Sequence, residues 1–185
     1  MTIPQVLQAV AISFCFSQLA GAETTDAEAI ALNNQAVKSI HADHLDEAEK
    51  TLLQALNHWG TRQSPEAAAA HNNLAQVYKL QNQFAKADAH YRKAIDLWEQ
   101  IQGPRSVSLA KGLMNLSDLY RVQGKVSGAV KLLERAMAIF EEGSKDSLDA
   151  RNRLAEAYVA LGRTTEARRL QRGPASNSLL QSDSH

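Results

Sequence analysis

Apolar positions along the chain recur at helical spacing. Phe84, Ala87, Tyr91 and Ala94 step by three, four and three, which marks one face of an α-helix. Just upstream, Leu74-Ala75 and Tyr78 mark the face of another helix, and the polar "QNQ" between the two predicts a tight turn. A shift of 42 residues brings the pattern back as Leu116-Ser117, Tyr120, Val126, Ala129, Leu133 and Ala136. A further shift of 38 gives Leu154-Ala155, Tyr158, Thr164 and Ala167, and going back 39 gives Gln35-Ala36, Ser39, Leu45, Ala48, Leu52 and Ala55. The spacing predicts four copies, each a pair of helices, over about 26–60, 65–102, 107–143 and 147–171. Repetition at this period is the mark of a stacked array.

Local chemistry agrees with that division. The turn inside each pair carries Asp43, Asn82, Gly124 or Gly162 at the same place. These residue types accept a left-handed backbone at modest cost. Small residues at Ala36, Ala75, Ser117 and Ala155, and at Ala48, Ala87, Ala129 and Ala167, predict close approach of the two helices in each pair. Ser64-Pro65-Glu66 reads as an N-cap, a first-turn proline and an acidic first turn. Ser106 and Ser147 are the expected caps of the later copies.

The array does not extend to either end. Residues 1–22 contain no acidic or basic side chain and finish in Ala20-Gly21-Ala22, a small-x-small cleavage pattern. This reads as a secretory signal peptide, and the alternative is an uncleaved anchor. An anchor needs about 20 apolar residues, and this run is shorter and interrupted by Gln8 and Gln18. Cleavage would remove Cys15, the single cysteine, and leave a mature chain with no thiol for disulfides. Export to a periplasmic or extracellular space is expected. Residues 172–185 are polar and turn-rich, with Leu179-Leu180 their only apolar pair, and read as a disordered tail.

The landmarks resemble the tetratricopeptide repeat, and the long period with Gly103-Pro104 before the third copy resembles its kinesin-light-chain-like subclass, found also in bacterial proteins. "GTRQSPE" (60–66) and "EGSKDSLD" (142–149) match that link loosely. The second and third copies carry the resemblance best. Copy one has Gln35 and Ser39 where a large apolar residue and an aromatic usually stand, and copy four has a short second helix. The resemblance implies an all-α, right-handed α-solenoid of about four helix-turn-helix pairs, with the first helices lining a concave groove that holds a protein or peptide.

That groove gives a use to asparagine, a poor residue for a helix interior. Asn34, Asn73 and Asn115 stand at equivalent positions, one residue before the landmark, with Arg153 fourth. One residue turns about 100° round a helix, so side chains here look away from the pair's own core. Amides both donate and accept, and the resemblance implies that such a column grips an extended peptide backbone. Alternatively the column bonds adjacent helices and stacks the repeats. Asn33 and Asn72 are expected at the rim or in solvent. Two further columns share the groove: Lys79 and Arg121, with Ile40 and Val159 at its ends, and Gln76, Asp118 and Glu156, after Val37. Lys111 lies near the mouth of copy three. A polar, mildly basic groove suits a peptide with acidic groups or a free carboxylate.

Charge and composition narrow the classes of function. Lys+Arg and Asp+Glu are 20 each, so the formal net charge is zero, whereas a nucleic-acid binder carries a basic excess. Residues 23–60 hold seven acidic and two basic side chains, while the last three copies are slightly basic. That asymmetry would suit head-to-tail self-association or the steering of partners. His41 and His44 lie near Asp43 and Asp46, but across a predicted turn, where polar residues are expected without any metal. There is no nucleophile elbow and no phosphate loop. The sequence therefore predicts a non-enzymatic, cofactor-free scaffold for a protein or peptide, with no small-molecule substrate. The alternative is an assembly module, a homo-oligomer among its forms, that makes its contacts through the ends of the array.

Overall fold

The computed structural model describes residues 25–172. The signal-peptide reading for 1–22 and the tail reading, apart from Arg172, lie outside the described residues. Among the described residues there are eight helices and no strand: α1 (Thr25–His41), α2 (Leu45–Trp59), α3 (Pro65–Leu80), α4 (Phe84–Gln102), α5 (Val107–Val122), α6 (Val126–Met137), α7 (Lys145–Ala160) and α8 (Thr164–Arg172). They fall into two compact units, the first ending at Arg62 and the second starting at Gln63.

In the first unit α1 packs on α2. Ala29 and Ala36 on α1, and Ala48, Leu52 and Ala55 on α2, are sealed from solvent. The small residues let the helices close, and Leu52 and Trp59 are the large buried side chains of α2. Thr51, buried in α2, donates its hydroxyl to the Glu47 carbonyl at 2.8 Å, which satisfies a polar group that would be costly to bury alone. Arg62 grips Asp26 through two bonds of 3.0 and 2.6 Å. Both groups are exposed, so this pair contributes at most about 1 kcal/mol.

In the second unit α3 pairs with α4, α5 with α6, and α7 with α8. The pairs stack through α4 on α5 and α6 on α7. Leu74, Tyr91, Leu109, Leu113, Leu116, Leu133 and Leu154 are at most 2% exposed and are large side chains of this unit's core.

All four intrapair turns share one geometry. Asp43, Asn82, Gly124 and Gly162 adopt φ of 61°, 60°, 72° and 74°. Each donates its N–H three residues back, and the next residue donates five back, as in Gly124 to Arg121 (3.0 Å) and Lys125 to Tyr120 (2.8 Å). This is the Schellman motif, which satisfies carbonyls left open at a helix end. It explains why only Asp, Asn and Gly occupy that position here.

Ser64 and Ser106 cap α3 and α5, accepting from the backbone N–H of Ala67 and Leu109 at 3.1 Å each. The fourth copy differs from expectation. Ser144, not Ser147, caps α7, and Ser147 is its partner, donating its N–H to the Ser144 hydroxyl at 3.1 Å. Gly143 turns the chain at φ 80° immediately before, so the helix starts one turn early and buries Ser147. Two serines three apart both satisfy a cap pattern, and the glycine decides between them.

Candidate functional site

The sequence places the candidate residues of the second unit on its first helices, α3, α5 and α7. There the structure shows a cleft of about 500 Å³ lined by Lys79, Asp118, Arg121, Val122, Val126, Glu156 and Ala160. It therefore brings together Lys79, Asp118 and Arg121, one from α3 and two from α5. Arg121 reaches Glu156 on α7 at 3.0 Å and Asp118 at 3.6 Å, so its charge is shared between two carboxylates. Lys79 has no ion pair among the described residues and is half-buried beside this network. Val122 and Val126 give the cleft an apolar side, and Val122 is 62% exposed.

The remaining candidates are mostly engaged between helices. Asn115 donates its amide to the Asn72 side-chain oxygen at 2.9 Å, joining α5 to α3. Asn72, expected at the rim or in solvent, is thus half-buried at a helix seam. The first helices of neighbouring repeats stand close enough for two amides to meet, and this gives Asn115 a stacking contact. Arg153 binds Asp149 on its own helix at 2.9 Å and also holds Asp118 across the seam. Lys111 pairs with Asp146 at 3.1 Å. Lys111–Asp146, Asp118–Arg153 and Arg121–Glu156 therefore form a ladder from α5 to α7, each rung joining residues 35 apart. Exposed rungs are individually weak, but together they fix the register of the two helices. The basic character read from the sequence is thereby largely neutralised from within.

Asn73 and Gln76 are half-buried on α3, and Asn34 is exposed on α1 in the first unit. His44 lies 3.8 Å from Glu47 in an exposed turn. Among the described residues no three His, Cys, Asp or Glu side chains are grouped to hold a metal ion.

Two features were not anticipated from the sequence. His71 and His90, on α3 and α4, meet with Nδ1 atoms 2.9 Å apart. They stand eleven residues before and eight after Asn82, so counting outward from the turn of an antiparallel pair would have brought them near each other. The second is a close approach at Gly128, where a Cβ would lie 2.7 Å from the Tyr120 ring. The bare glycine lets that ring lie over α6, where its hydroxyl accepts from Arg92 of α4, itself bonded to Asp88 at 2.7 Å.

Helix pairs closed by identical turns, zipped by small residues and stacked at a period of about forty residues define an all-α repeat scaffold. Tetratricopeptide repeat profiles match residues 27–100, 66–142 and 116–176. The chain belongs to the tetratricopeptide repeat family. No curated protein matches the sequence. Among solved structures, BtubC (BKLC) from P. vanneervenii superposes with a TM-score of 0.72 at 24% identity, over 83% of this chain and 64% of that one. The chain thus spans just under two-thirds of the length of that relative. The nearly identical TPR-like repeats of a Podosopora anserina kinesin-light-chain-type protein superpose at 0.70 and 22% identity, over 84% of this chain and 75% of that one. The neighbours are kinesin-light-chain-like, in line with the Gly103-Pro104 link, and at these identities the likeness is one of fold. Repeats of this family generally mediate contacts between proteins, and the family is typically non-enzymatic.

Proposed function

We propose that the cleft on α3, α5, α6 and α7 holds an extended segment of a protein partner. The observation that carries this reading is the juxtaposition of Lys79, without an ion pair among the described residues, and the exposed apolar wall of Val122. A half-buried ammonium gains a charge-assisted bond from a carboxylate of opposite sign, and the ladder's carboxylates are paired with Lys111, Arg153 and Arg121 and not with Lys79. The fitting segment carries an aliphatic side chain against Val122, Val126 and Ala160, with a carboxylate within reach of Lys79. Asn73 and Gln76, further up α3, extend this polar wall toward the peptide backbone, and Asn34 holds the equivalent place in the first unit. Arg121, Arg153, Asp118, Lys111 and Asn115 shape the wall through their contacts with neighbouring helices.

The test is binding by a Lys79→Glu, Val122→Asp variant. Affinity for a partner isolated with the wild-type chain is expected to fall at least about tenfold, or ~1.4 kcal/mol, with the helical circular dichroism unchanged. Equal affinity in a fully helical variant would overturn the cleft reading.

We further propose, from the apolar, uncharged run at 1–22, that the protein is exported and cut after Ala22. N-terminal sequencing of the protein from the exported fraction should begin at Glu23. Retention inside the cell with Met1 intact would contradict it.

A further inference from the structure

We propose that His71 and His90 form a proton-sensitive latch between α3 and α4, and that acid opens the second helix pair. The two Nδ1 atoms are 2.9 Å apart and the ring centroids 5.1 Å apart. At that separation one Nδ1 must carry a proton and the other must present its lone pair. A first added proton can settle on Nε2 of the donating ring and leave the contact whole. A second must occupy the accepting Nδ1, which sets two N–H groups head to head. The doubly charged pair therefore cannot keep this geometry, and its repulsion drives the two rings, and with them α3 and α4, apart.

The surroundings work in the same direction. Burial, then His90 and Lys93, hold His71 down at about 4. Burial, then Lys86, lowers His90. Tyr78 stacks against His90 with centroids 5.5 Å apart and offers no charge. On α5, which packs against α4 and touches α3, Asn115 is spent on Asn72, while Lys111, Asp118 and Arg121 are engaged with Asp146, Arg153 and Glu156. A histidine whose folded pKa lies below its unfolded value leaves stability intact above about 6.5 and removes it as pH falls toward 4.

The latch belongs to one copy. The equivalent positions are Leu32 and Thr51, Leu113 and Leu132, and Arg151 and Leu170. Replacing both histidines with leucine reproduces the third copy and removes the titration without removing the packing. The inference does not depend on what the cleft binds.

The experiment is a histidine NMR titration of the full chain, with amide-exchange protection followed from pH 7 to 4.5. Wild type should show two coupled imidazoles, one protonating only below about pH 5. Protection in α3 and α4 should fall at least about tenfold more than in α7 and α8, since each proton taken up on opening gives about tenfold per pH unit below about 6.5. The His71→Leu, His90→Leu variant should lose that excess. Two imidazoles titrating independently near 6.5, or equal loss of protection in the variant, would overturn the latch.

Discussion

Leu74→Ala is expected to destabilise the protein by about 2–5 kcal/mol, the range for deleting most of a buried leucine where the site cannot fully collapse. Leu74 is sealed on α3 between Ala70 and Tyr78, which are themselves buried. Its neighbours are anchored by the Ser64 cap at one end and by the Asn82 turn at the other, so little relaxation is available. Leu80 lies six residues on in the same helix but is 45% exposed. Leu80→Ala should stay within about 0.5 kcal/mol, as surface substitutions do. Chemical denaturation of both variants checks the pair. Equal losses would mean that the landmark leucine is not the core position assigned to it.

Gly112→Val is expected to cost about 2–3 kcal/mol through overpacking. A Cβ at this buried position would lie 2.7 Å from Cζ3 of Trp98, 3.1 Å from its Cε3 and 3.2 Å from Cγ1 of Ile95. Trp98 is a rigid ring almost buried on α4, so relief requires α4 and α5 to separate. The equivalent residues of the neighbouring copies are Ala70 and Ala150, both buried. Glycine appears only in the third copy, where the indole comes this close. A Trp98→Leu change in the Gly112→Val background should therefore recover part of the loss, which additive substitutions would not do. Thermal unfolding of the two single variants and the double variant gives the coupling. Strict additivity would place the cause away from this contact.

Features with local causes were legible in the sequence. The left-handed turn residues, the small residues at the helix crossings and the Ser64 and Ser106 caps depend on a few neighbouring positions, and each stands where the pattern put it. Copy four's short second helix appears as α8. The aromatic residues Trp59, Trp98 and Phe140 repeat at the same 39- and 42-residue shifts and are all buried, one turn beyond Ala55, Ala94 and Ala136, where the landmark pattern had stopped. Partners across helices were not legible. Whether Arg153 faces a ligand or Asp118, and whether Asn72 faces water or Asn115, depends on how closely the first helices stack, and no single repeat encodes that distance. Lys79 and Arg121 fell in one sequence column with the same expected role. The structure separates them, because only Arg121 has carboxylates on both sides.

The central claim, that the cleft holds an extended segment of a partner, is tested most directly by site-specific photo-crosslinking. A photoreactive side chain at Val122, inside the cleft, is compared with one at Val107, which is 52% exposed and outside the cleft lining. Crosslinks to one partner peptide from position 122 but not from 107, and their loss with Lys79→Glu, are the predicted result. Crosslinks to that partner from position 107 alone would contradict the account.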